Sequence, residues 1–197
     1  MTGSKYGYAG NILHVDLTTS KVCTELTENY GRKFLGGRGI NQWILFKKLR
    51  PWVTPFEPAN IICFGAGTLA GTLVPGAARL NIDSKNALTG GIGSANAGGW
   101  FASELKFAGY DNLVVHGKAR KRIYLSIEDE VSIRSARELW GKNTSETIRA
   151  PPIFFNDFYH FLEEMLLKKK GNPLRIEVRL TKFWKTWNKK RRKGVGV

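Results

Sequence analysis

Three segments combine glycine, other small residues and arginine in a pattern that could do chemistry: FLGGRG at 34–39, TLVPGAARLN at 72–81 and GGIGSANAGGW at 90–100. Each leaves backbone N–H and C=O groups with little side-chain cover. Arg38 and Arg79 add a planar fork that pairs with phosphate in bidentate fashion. The first segment also leads into a helix pattern, and a helix N-terminus favours anions. Small residues of this kind let a flat, polar, phosphate-bearing ligand lie against main chain. Glycine clusters equally serve sharp turns in mostly β domains, and pattern alone favours that plainer reading. Neither G-x-G-x-x-G after a strand nor G-x-x-x-x-G-K-[ST] occurs, so the usual nucleotide fingerprints are absent.

Other catalytic constellations are thin. His14 and His116 sit in strand patterns, where a half-buried structural imidazole is the expectation. His160 falls in an atypical C-terminal stretch. No H-x-x-x-H, H-E-x-x-H or G-x-S-x-G is present. The paired carboxylates of EDE at 128–130 fall in an expected hairpin turn facing solvent.

The elements that must position these residues follow from periodicity. Residues 9–26 alternate around the polar turn TTSK and predict a hairpin. Residues 28–49 switch to a helical period after Gly36–Gly39, and Pro51 and Pro55 end it. NIICFGAG is a continuous apolar run, as in a strand buried on both faces. AARLNIDSK alternates, with Leu80 and Ile82 on one side and Arg79, Asn81 and Asp83 on the other. LTGGIGSANAGG is nearly free of side chains. Trp100, Phe101, Leu105 and Phe107 predict a short helix, and YDNLVVHGKA another buried strand. KRIYLSIEDEVSIRSA reads as a hairpin. ARELWGKNTSETIR reads as a helix, a short linker and a second helix capped by Thr144 or Ser145.

At 197 residues and 42% hydrophobic content, the chain can bury one ordinary core. Its 22 glycines, about 11%, exceed average usage of roughly 7%. Net charge is +15, yet residues 1–150 hold 19 Lys and Arg against 12 Asp and Glu, and residues 151–197 hold 12 against 4. After Ala150 the texture changes to aromatic and basic, with a helix expected from about Asn156 to Lys170. Cys23 and Cys63 stand 40 residues apart, outside any C-x-x-C pair. They read as reduced thiols in a cytoplasmic protein, one at least buried. No signal peptide is evident, and no run approaches the roughly 18 apolar residues of a membrane span.

The combination of GGRG at 36–39, LTG at 88–90 and above all ELKFAGYD at 104–111 resembles the N-terminal domain of the aldehyde ferredoxin oxidoreductase family, over about residues 5–149. The resemblance implies an α+β, mostly β fold: two sheets that form a base for a cofactor, with a few short helices. It implies a domain at 1–149 that binds a tungsten or molybdenum bis-pyranopterin, with magnesium bridging the phosphates. By position, Arg79 matches the family's pterin-contacting arginine. Asn96 and Gly98, with Ala95 beside them, match the second loop, where the asparagine gives a backbone contact near the magnesium. Gly37 and Arg38 are secondary candidates. No catalytic residue and no metal ligand is assigned.

The chain departs from the family pattern at Ala77-Ala78-Arg79, where Gly-Gly-Arg is common, and at Asn86-Ala87-Leu88, where Ser-Pro-Leu is common. The family's C-x-x-C-x-x-x-C group and distant fourth cysteine, which hold a [4Fe–4S] cluster, are absent. The family continues in register past 149, whereas residues 150–197 do not match; an out-of-frame or disrupted reading is the expectation for that tail. The function implied is oxidation of an aldehyde to a carboxylic acid with ferredoxin as acceptor, with this chain incomplete and inactive alone. Two alternatives stand beside it. One is a small subunit that completes its site with a second chain or as a homodimer. The other is binding of nucleic acid or an anionic surface through KKK at 168–170, KKRRK at 189–193, Trp184 and Trp187, which the solvated-charge reading outweighs.

Overall fold

Alternating apolar residues in NILHVD and KVCTEL form the hairpin β1 (Asn11–Asp16) and β2 (Lys21–Leu26). Asp16 Oδ1 closes its turn by accepting from Thr18 N at 2.8 Å. A computed structural model describes residues 7–31, 33–127, 130–149 and 174–178. A short helix α1 (Glu28–Gly31) and the longer α2 (Arg38–Lys48) follow. The apolar runs then give β3 (Ile61–Ala66), β4 (Leu80–Lys85) and β5 (Ile92–Ala97). The helix α3 (Phe101–Phe107) leads into β6 (Tyr110–His116).

These six strands make one sheet in the order β2-β1-β6-β3-β4-β5. Only β1 and β6 pair in parallel. The central strands β1, β3 and β6 are buried on both faces, which explains their nearly continuous apolar runs. On one face Ile40, Ile44 and Leu45 of α2 pack on Ile12, Ile61, Cys63 and Val114. On the other face Phe101, Ala102 and Leu105 of α3 join Leu13, Phe64, Leu80, Ile82, Leu113 and Val115. Leu125 and Ile127 of a second, three-stranded sheet complete that core. Its order is β8 (Val131–Ser135), β7 (Ile123–Ile127) and β9 (Leu174–Val178), with β9 parallel to β7. The α+β, mostly β architecture with two sheets and short helices is therefore present.

Three local expectations are corrected. Residues 92–97 are the edge strand β5 rather than a bare loop; the backbone ladder with β4 forms although Ile92 is the strand's one β-branched residue. Residues 136–142 are turns, not a helix, and Gly141 sits at φ 84°. The following α4 (Thr144–Arg149) is capped by Asn143 rather than Thr144 or Ser145. Asn143 Oδ1 accepts from Glu146 N at 2.9 Å, while Glu146 Oε2 accepts from Asn143 N at 3.0 Å, a reciprocal capping box. The strand at 174–178 lies in the stretch that resembles no family segment; LRIEV alternates apolar and charged residues as a strand does. The helix expected at 156–170, His160, both basic runs, Trp184, Trp187, Glu128 and Asp129 lie outside the described residues. Among the described residues no helix is long and apolar enough to cross a membrane.

One core residue makes stability depend on pH. Glu104 on α3 is only 2% exposed, and burial pushes its carboxyl from 4.5 up to about 7. The folded state therefore holds this proton more tightly than the unfolded chain. The stability is full below pH 4.5 and is lost as pH rises through about 7. Glu104→Gln is expected to remove that decline, gaining about 2 kcal/mol at pH 8 and little at pH 4. Urea unfolding at the two pH values checks it.

Candidate functional site

The strand registers determine which loops meet. Asn11 faces both Leu26 and Tyr110, so β1 and β6 begin where β2 ends. Gly65 pairs with Asn112, Ala66 with Leu80, and Leu80 with Ala97. Hence β3 and β5 end, and β4 begins, at that same end of the sheet. The loops around 7–10, 27–37, 67–79 and 98–100 gather there.

Gly36 and Gly37 shape the entry to α2, with φ of 127° and 48°, where an L side chain is strained. A Cβ on Gly36 would lie 2.7 Å from Thr68 Oγ1, and that hydroxyl donates to Leu35 O. The loop is thus pressed onto the exit of β3. The N-cap residue Gly37 offers no side-chain acceptor, and the first turn of α2 holds no acidic residue. Gly39 N donates to Gly36 O at 3.1 Å, and the positive end of α2 and the exposed Arg38 stand here without an acidic residue in the first turn.

Gly67 N donates to Arg79 O at 3.1 Å, which ties Arg79 to the same exit. Arg79 is exposed one residue before the Leu80–Ala97 pair, and Gly98 follows one residue after it. Asn96 pairs with Asn81 and Ala95 with Ile82. Strand alternation then sets Asn81 and Asn96 on the face that α2 covers, with Ala95 and Ala97 on the α3 face. Asn81 Nδ2 donates to Ser94 Oγ at 3.2 Å, continuing the polar strip. A Cβ on Gly98 would meet nothing within 4 Å, so the floor there is open. All six candidates (Gly37, Arg38, Arg79, Ala95, Asn96 and Gly98) therefore fall at one end or within three residues of it. Gly90 and Gly91 do not: they form the β4–β5 turn at the opposite end, roughly 17–20 Å away along a six-residue strand. The segment 90–100 is split between the two ends, and the LTG turn takes no part in the gathered loops.

Below this end lies a buried polar network absent from the sequence expectations. Asn41, Asp83 and Asn112 are fully buried. Asn112 Nδ2 donates to Asn41 Oδ1 at 2.8 Å, and Asn41 Nδ2 to Asp83 Oδ2 at 2.8 Å. The polar side of β4 is thus covered by α2. The one available signal was Asn41 between apolar positions of a helix. A second knot explains ELKFAGYD. Asp111 accepts from Ala9 N and Gly10 N, both at 2.8 Å, from Thr27 Oγ1 at 2.7 Å and from Lys106 Nζ at 2.7 Å.

His14 behaves as a structural group, and the part-exposed His116 lies 3.9 Å from Asp16. His14 lies 3.1 Å from Glu25, to which Tyr30 donates at 2.8 Å. Burial, then Lys48, lowers the His14 pKa against the pull of Glu25. Burial and Glu25 push the Tyr30 hydroxyl up to about 12. Both cysteines are free, Cys23 exposed and Cys63 buried, and burial raises the Cys63 thiol. Among the described residues no group of three His, Cys, Asp or Glu could hold a metal ion.

The family model described as aldehyde ferredoxin oxidoreductase, N-terminal domain, matches residues 12–151. The chain belongs to the aldehyde ferredoxin oxidoreductase family, whose matched relatives are named as oxidoreductases. The tungsten-containing aldehyde ferredoxin oxidoreductase of Pyrococcus furiosus is 45% identical over 144 residues, 72% of this chain and 24% of that protein. The aliphatic sulfonate oxidoreductase, WOR-like subunit, of the same organism is 40% identical over 141 residues, 69% of this chain and 22% of its own length. A solved structure of the benzoyl coenzyme A reductase active-site complex BamBC with 1,5-dienoyl-CoA matches at 33% identity with a TM-score of 0.70. It covers 85% of this chain and 24% of its counterpart. The chain thus spans about a quarter of the length of these relatives.

Proposed function

We propose that residues 1–149 form the cofactor base of a tungsten or molybdenum pterin oxidoreductase, followed by a basic aromatic tail at 150–197 whose strand β9 pairs with β7. The observation that carries this reading is the convergence of Arg79, Asn96, Gly98 and the Gly37–Arg38 helix start at one sheet end. The donor set consists of guanidinium and main-chain amide groups, which suits a phosphorylated pterin, and the open position at Gly98 suits a flat face. When bound, the metal–pterin supplies two-electron redox chemistry, here the oxidation of an aldehyde to a carboxylic acid with ferredoxin as acceptor.

This chain's own residues bind and orient. Arg79 pairs with phosphate, assisted by Arg38 and the start of α2. Asn96 would offer its main chain to the phosphate side of the cofactor and its magnesium ion. Gly98 leaves room for the ring system, while Ala95, whose side chain lies on the α3 face, contributes main chain. Cys23 on the edge strand β2 and Cys63 in the core do not converge, so the iron–sulfur ligands belong to the remainder of a longer polypeptide or to a second chain. The setting is cytoplasmic. In isolation the 197-residue chain is a partial binding shell without turnover.

The test is pterin retention after anaerobic expression with tungstate. Arg79→Ala is expected to lower retained pterin about 10- to 100-fold, the worth of a charge-assisted bidentate contact. Gly98→Ala is expected to leave folding within about 0.5 kcal/mol while reducing retention, because its methyl group enters open floor. Equal retention by wild type and both variants contradicts the reading.

A further inference from the structure

We infer that Asp83, Asn41 and Asn112 form a one-way hydrogen-bond relay that positions the Gly36–Arg38 loop at the phosphate-binding end, an inference that rests on the cofactor reading above. The three residues come from β4, α2 and β6, so the relay crosses from the strand beside the candidate floor to the centre of the sheet.

The direction is set chemically. The Asp83 carboxylate offers only acceptors, so Asn41 must turn its amide nitrogen towards it. The same nitrogen lies 3.2 Å from Asn81 O and 3.4 Å from Cys63 O, which also demand a donor. Asn41 Oδ1 is then left facing β6 as an acceptor. That in turn fixes Asn112, whose Nδ2 donates to Asn41 and reaches Gly37 O at 3.5 Å. Gly37 O also accepts the first helical bond, from Asn41 N at 3.1 Å. Gly65 lies beneath the crossing: a Cβ there would sit 2.7 Å from both Asn112 Nδ2 and Gly37 O.

The network is a poor stabiliser by its own bookkeeping. Asp83 Oδ1 and Asn112 Oδ1 are buried without a hydrogen-bond partner among the described residues. A half-satisfied buried network does worse than apolar packing. What it achieves is geometric. It holds the carbonyl of Gly37, and with it the N-terminus of α2 and Arg38, over the β3 exit next to Arg79. Asp83, Asn41 and Asn112 are positioning residues; none of them touches the ligand.

The discriminating variant is Asp83→Asn, which keeps the volume but replaces the acceptor-only carboxylate with an amide that can present a donor to Asn41. Amide hydrogen exchange at Gly39 and Asn41, affinity for magnesium pyrophosphate and the urea midpoint are measured on the 197-residue chain. Exchange at the two amides is expected to rise about tenfold and pyrophosphate affinity to fall about tenfold, each the worth of one lost hydrogen bond. The urea midpoint is expected not to fall, because a buried charge has been removed. A purely structural role would lower affinity and midpoint together, and that result overturns the relay. So does unchanged exchange and affinity. Asn112→Ala cuts only the last step and is expected to loosen the same two amides. If wild type binds no pyrophosphate, the cofactor reading fails, while exchange in both variants still decides the relay.

Discussion

Asp111→Ala is expected to destabilise the protein by about 3–5 kcal/mol, the cost of breaking a buried ion pair from one side. Lys106 and Asp111 are 7% and 4% exposed at the side chain, and their charged atoms are 2.7 Å apart. The carboxylate serves three further donors: two backbone N–H groups at Ala9 and Gly10, and the Thr27 hydroxyl. Its removal leaves the Lys106 ammonium buried without a counter-charge, facing the carbonyls of Gly7, at 2.5 Å, and Thr68, at 3.4 Å, and the Tyr8 ring at 5.9 Å. The lesion spreads because four segments meet there: the N-terminal stretch, the start of α1, the helix α3 and the β3 exit. Urea unfolding measures the loss. A loss under about 1 kcal/mol would show that the pair is only incidental. Lys106→Met together with Asp111→Leu is expected to recover part of the stability, since no lone charge remains buried.

The second large effect lies at Gly65→Ala. A methyl group there would come within 2.7 Å of Gly37 O and Asn112 Nδ2, and 2.9 Å of Asn41 Nδ2. One of these is backbone and the other two are held by the relay, so none can withdraw cheaply. The expected cost is about 2–3 kcal/mol from overpacking. It should also move the start of α2 off the sheet, seen as faster amide exchange at Gly39 and Asn41. Gly98 provides the contrast: it is a glycine at the same end with open space, and Ala is tolerated there by the fold.

Much of the scaffold was legible from periodicity. The β1–β2 hairpin, α2 after its glycine turn, β3 as an apolar run and β6 with its continuous burial follow from residue spacing alone. The edge strand β5 was not legible, because IGSANA holds a single β-branched residue, Ile92, before a run of small ones; its pairing comes from the β4 backbone. Asp83 was legible as polar but not as buried, since the cover is α2, from a distant part of the chain. The candidate site was legible as three glycine segments and two arginines, but not as one place. Only the registers bring residues 37, 79 and 96 together and send Gly90 and Gly91 to the other end. ELKFAGYD was recognisable as a motif, yet its physical role, a buried Lys–Asp knot, depends on Ala9, Gly10 and Thr27, which lie far away in sequence.

The most direct measurement of the central claim is an amide-resolved NMR titration of the 197-residue chain with magnesium pyrophosphate, followed by a pterin phosphate. The expected result is a set of saturable shifts at Gly37, Arg38, Arg79 and Ala95 to Gly99, with Leu88 to Gly91 unmoved. Shifts centred on the 88–91 turn, or none at the gathered loops, would contradict it.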